Sequence, residues 1–113
     1  MILMPIIYVR DMDESVAFYE RLGFEVDVQS RSQMWTELKA GDRAVLALHG
    51  VAEGGEPGRL ELSMVAEEPL ERIADLAPVV RGIADEAFGR SLVLEDPNTL
   101  RIQVNEHERE PYA

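Results

Sequence analysis

Apolar positions along this chain recur every second residue, then at helical spacing, then every second residue again, and the cycle runs twice. Residues 2–9 alternate as a strand, with Pro5, Ile7 and Val9 on one face, toward a helix, and Met4, Ile6 and Tyr8 on the other. Pro5 lacks an N–H, so part of this strand does not donate to a central ladder. Asp11 is a good N-cap and Glu14 follows three residues later, the spacing of a capping box. Val16, Ala17, Tyr19 and Leu22 then keep helical spacing, which predicts a helix over 12–22 that stops at Gly23. Strands follow at 24–29, 33–39 and 44–49, with a turn at Ala40-Gly41-Asp42.

Residues 50–58 hold four glycines and one proline, which marks a linker near the midpoint. The pattern then restarts. It predicts a strand over 59–64, a shorter helix over 69–77 with Pro69 in its first turn, and strands over 79–84, 90–95 and 100–104. Asp96-Pro97-Asn98-Thr99 reads as a hairpin turn, and the charged tail from 106 to 113 as frayed. The expected architecture is α+β: one domain over 1–113 built from two tandem βαβββ modules, about 1–49 and 59–106. A helix on one face of each half-sheet leaves the other faces free to curve into a mixed-sheet cup.

Composition narrows the function classes. The formal charge is −11, from 22 acidic against 11 basic residues. Nucleic acid is excluded as an expected partner, because phosphate contacts need a basic face. No apolar run reaches membrane-span length and no signal-peptide pattern opens the chain, so no membrane partner and a cytoplasmic location are expected. There are no cysteines, hence no thiolate metal site and no cysteine nucleophile. Ser63 and Ser91 have no neighbouring His, and the glycines lack phosphate-loop spacing.

Two stretches carry a family resemblance. One is Tyr8 to Val26, Tyr-Val-Arg-Asp-Met-Asp-Glu-Ser-Val-Ala-Phe-Tyr-Glu-Arg-Leu-Gly-Phe-Glu-Val. The other is Phe88 to Val104, containing Gly-Arg and then Asp-Pro-Asn-Thr-Leu-Arg-Ile-Gln. With the repeat, they resemble the vicinal oxygen chelate superfamily: glyoxalase I, extradiol dioxygenases, fosfomycin-resistance enzymes and bleomycin-resistance proteins. The resemblance implies the cup. In the enzymes it also implies a divalent metal held by His, Gln or Glu near the first and last strands of each half. The matching positions here are Met4, Ala47, Arg59 (with Leu60 beside it) and Gln103. Hard cations want several oxygens and imidazole sites need His, so no metal and no cofactor are expected. A different donor set would have to come from Glu37, His49, Glu61 and Gln103.

Without a metal, the cup reads as a small-molecule pocket. Its expected ligand-binding residues are Tyr8, Trp35, Glu37, Glu61, Ser63, Arg101 and Gln103. Trp35, the only Trp, offers a flat face for stacking, and Glu37 and Glu61 favour a positive guest. This resembles the bleomycin-resistance branch, whose small acidic dimers sequester cationic aromatic drugs. The first reading is therefore a metal-independent binder of a cationic or aromatic ligand, acting as a homodimer, with Met34, Trp35 and the Phe88 stretch as interface candidates. The alternative is a lyase, isomerase or dioxygenase with an atypical divalent-metal site, or with Glu37 and Glu61 as an acid–base pair. Catalytic residues are not identified by the sequence.

Overall fold

A computed structural model describes residues 1–86 and 89–107, and it falls into two units. Among the described residues, the N-terminal unit runs Met4–Glu61; the C-terminal unit takes Met1–Leu3 together with residues 62–107. Each unit holds one five-stranded mixed sheet and one helix.

In the N-terminal unit, β2 (Ile6–Val9) leads to α1 (Met12–Arg21), and then to β3 (Glu25–Gln29), β4 (Trp35–Ala40) and β5 (Ala44–Gly50). A short β6 (Leu60–Glu61) completes the sheet order β3-β4-β5-β2-β6. The Asp11 side chain accepts the Glu14 N–H at 2.9 Å and so caps α1. Gly23, at φ +102°, carries the chain out of it. The apolar stripe of α1 packs Met12, Val16 and Tyr19 onto buried Val9, Leu38 and Leu48, with Ile7 alongside. That leaves Ile6 and Tyr8 on the face away from the helix, as the alternation requires.

The C-terminal unit repeats the plan with β7 (Ser63–Val65), α2 (Leu70–Ala74), β8 (Val79–Glu86), β9 (Gly89–Glu95) and β10 (Arg101–His107). Its order, β8-β9-β10-β7-β1, mirrors the first sheet, with β1 (Ile2–Leu3) where the other has β6. Leu70, Ile73, Leu92 and Val104 form its core under α2. Arg90 spans two carboxylates, with bonds of 3.0 Å to Glu71 on α2 and to Glu106 on β10.

Several sequence expectations need correction. The strand over 2–9 is two strands. Pro5 cannot donate, its carbonyl accepts the Ala47 N–H, and the chain changes sheets between Leu3 and Ile6. The strand over 59–64 likewise divides at Leu62, with Leu60 and Glu61 on β2 and Ser63 onward on β10. The strand expected from Gln33 starts at Trp35, because Gln33 sits at φ +60° in a tight turn closed by Ser30. Helix α2 ends at Ala74, not 77: its last turn tightens onto Arg72 and Ile73, and Pro78 disfavours helical geometry in the residue before it. Glu106 and His107 belong to β10 rather than to a frayed tail. Phe88 and the rest of the tail lie outside the described residues.

Candidate functional site

The register of the N-terminal sheet aligns Trp35 with His49 and His49 with Tyr8 across β4, β5 and β2. The Tyr8 N–H donates to the Arg59 carbonyl, and this extends the row to the residue before β6. The side chains form a continuous stack on the face away from α1. Trp35 meets His49 edge to face at 5.8 Å, and His49 lies tilted against Tyr8 at 4.9 Å. The Arg59 guanidinium carbon sits 3.9 Å from the Tyr8 ring centroid. His49 Nδ1 is 2.6 Å from the Gly50 carbonyl, which can only accept, so that nitrogen carries the hydrogen.

Two carboxylates flank the row, each bound to one of its members. Trp35 Nε1 donates to Glu37 at 2.9 Å, and both residues are buried, Glu37 at 1% exposure. The Tyr8 hydroxyl donates to Glu61 at 3.1 Å. Burial first, and then the Glu61 carboxylate, push the Tyr8 hydroxyl above its ordinary pKa; the Arg59 guanidinium opposes them.

A pocket of about 400 Å³ opens at the Tyr8–Arg59 end of the row. Tyr8, His49 and Arg59 form its strand side; Val51, Ala52 and Glu56 are on its loop side. The connecting segment is pinned where it meets β2: the Gly58 N–H donates to the Tyr8 carbonyl at 2.7 Å, at a φ of +84° that glycine adopts without strain.

The sequence-derived site residues thus fall on two sheets. Tyr8, Trp35, Glu37 and Glu61 lie on the N-terminal one; of these, Tyr8 lines the pocket, while Trp35 stands behind His49. Glu37 and Glu61 are held apart. The partner chain Glu37–Ala47–Ile6–Glu61 crosses three strand spacings, roughly 14 Å at about 4.8 Å each. A paired acid–base role for them is thereby corrected, and Glu37 is moreover buried. Ser63, Arg101 and Gln103 lie on the C-terminal sheet. There Gln103 donates to Asn105 at 2.8 Å, and buried Ser63, Ser91 and Asn105 share a face with it. Arg59, Glu56 and the loop wall were not expected, because the linker reads locally as a mere connection. The alternation that places Arg59 on the face of Glu61 was the available signal.

The sequence matches the family model described as Glyoxalase/Bleomycin resistance protein/Dioxygenase superfamily over residues 2–104. The chain belongs to this superfamily. Solved structures of the same fold include a superfamily member from Vibrio splendidus 12B01, at 20% identity and TM-score 0.57, covering 90% of this chain and 95% of that one. A structure titled NAD-dependent benzaldehyde dehydrogenase, from Legionella pneumophila, is similar at 20% identity and TM-score 0.62, covering 94% and 99%. No curated protein sequence matches the chain.

The superfamily's enzymes imply a divalent metal, and the residues present do not fit one. Met4 is a fully buried thioether and Ala47 a buried methyl. Arg59 is a cation stacked on Tyr8, and the Gln103 amide is engaged with Asn105. Among the described residues, no three His, Cys, Asp or Glu side chains gather where they could hold an ion. Nor is any helix among them long and apolar enough to cross a membrane.

Proposed function

We propose that this superfamily member binds a planar small molecule without altering it, in the pocket beside Tyr8 and Arg59. The observation that carries this reading is the stack Trp35–His49–Tyr8–Arg59, ending at an open cavity of about 400 Å³. A volume of that size suits a small organic guest, and flat side chains favour a flat one. The donor chemistry at the family's metal positions supports binding without metal. The separation of Glu37 from Glu61 weakens the case for acid–base catalysis. The same reading has the protein acting as a homodimer, which sedimentation equilibrium tests directly.

The ligand test uses the fluorescence of Trp35, which touches the pocket wall through His49. A panel of planar compounds is titrated, and each binder is recovered and weighed by mass spectrometry. Saturable quenching that Tyr8→Ala removes, with the compound recovered unchanged, supports the reading. Turnover of the compound, or binding that requires a stoichiometric divalent metal, overturns it.

A further inference from the structure

Resting on that pocket, we infer that its ligand is a planar anion, an aromatic carboxylate in chemical class, and that Arg59 selects it. Glu37 and Glu61, the carboxylates that would favour a cation, are engaged elsewhere: Glu37 takes the Trp35 N–H and Glu61 takes the Tyr8 hydroxyl. Neither lines the cavity. The face of Tyr8 that a cationic guest would seek already holds the Arg59 guanidinium.

Arg59 is exposed in the cavity wall, and no carboxylate lies within ion-pair distance of it among the described residues. Its place over the Tyr8 ring holds the guanidinium in the cavity wall, where the N–H groups beyond the one turned to the Tyr8 hydroxyl can meet a guest. A planar fork of donors matches a carboxylate in two parallel bonds. A flat ring attached to that carboxylate can extend along the cavity. The overall charge of −11 acts against any anion. However, charges beyond about 8 Å are screened at physiological ionic strength, so the nearest groups decide. These are Arg59 on the strand side, Glu56 on the loop, and Glu61 behind the Tyr8 hydroxyl, whose charge that hydroxyl's hydrogen bond partly offsets. Glu56 opposes an anion, so neutralising it should tighten binding.

Three compounds of one shape test this by calorimetry on the full chain: 2-naphthoate, 2-naphthamide and 2-naphthamidine. The carboxylate should bind tightest, by at least about tenfold, the margin of a charged over a neutral hydrogen-bonded pair. Arg59→Gln should abolish that margin while the amide still binds. Arg59→Lys should restore only part of it, because an ammonium lacks the planar fork. Glu56→Gln should raise affinity for the carboxylate alone. If all three bind equally and Tyr8→Ala removes all three, the anion preference is overturned while the pocket stands. If the amidine binds tightest, the preference is likewise overturned. If none binds, both readings fall.

Discussion

The guanidinium carbon of Arg59 sits over the ring of Tyr8, 3.9 Å from its centroid. A residue of β2 and the residue that precedes β6 are thereby joined by a cation–aromatic contact at the mouth of a cavity. Removing the cation should cost modest stability. Arg59→Ala is expected to destabilise the protein by about 0.5–1 kcal/mol, the worth of an exposed contact of this kind. Urea denaturation followed by Trp35 fluorescence measures it, and an unchanged midpoint would show that the stack does not contribute to stability.

Tyr8 should ionise late. Its pKa is raised in the folded state, so the protonated hydroxyl contributes stability that is fully present below the unfolded value of about 10. That contribution is lost as pH rises through the folded value. Difference absorbance at 295 nm between the protein and Tyr8→Phe isolates the transition. Glu61→Gln should move it down and Arg59→Gln should move it further up. Shifts of the opposite sign would refute the assignment of causes.

The clamp at Arg90 should contribute modestly to the acid limb of stability, because both partners are exposed to solvent. Its hydrogen bond to Glu71 holds that carboxyl below its ordinary pKa. The resulting stability is present above the ordinary carboxylate range and is lost as pH falls through the folded value. Arg90→Gln should return Glu71 to an ordinary titration in carboxyl NMR, with at most a small loss of stability above the carboxylate range.

Thr99 is a β-branched residue at φ +67°, in the turn where Asp96 accepts the Asn98 and Leu100 N–H groups at 2.8 Å. Left-handed geometry costs such a residue about 1–2 kcal/mol, of which added unfolded-chain freedom takes back part when glycine replaces it. Thr99→Gly should therefore stabilise by about 0.5–1 kcal/mol, seen as a raised melting temperature. A fall would mean that the threonine hydroxyl, which donates to the Asn98 carbonyl, outweighs the backbone strain.

Asp11→Ala should cost about 1 kcal/mol, because the Glu14 N–H loses its acceptor at the start of α1. Asp11→Asn should retain most of that stability. Circular dichroism during thermal melting distinguishes the two.

Local signals were legible in the sequence where local physics decides the outcome. Asp11 and Gly23 delimit α1 because capping and left-handed geometry act within one turn. The alternation in 6–9 sends Ile7 to the helix side and Tyr8 to the other because a strand has two faces. What escaped was set by partners distant in the chain. Nothing within residues 2–9 tells Ile2 and Leu3 to leave for β7, and nothing near Leu62 announces its change of sheet. Trp35 and Glu37 were legible as neighbours on one face. That the indole consumes the carboxylate, and so removes it from ligand recognition, depends on burial that alternation alone does not fix. Arg59 was weighed only as a poor metal ligand. Its role emerged once β2–β6 pairing set it against Tyr8.

The two dipeptides that close the sheets also constrain how this protein can be taken apart. Each repeat carries, at its leading end, the outermost strand of its sibling: β1 precedes β2 but borders β7, and β6 precedes β7 but borders β2. A fragment stopping before Leu60 would keep a dipeptide it cannot use and bare the flank of β2. A fragment starting at Leu60 would suffer the same at β7. Severed in the glycine-rich connection, neither piece is a finished half, and each would present a raw backbone edge to whatever strand it met first.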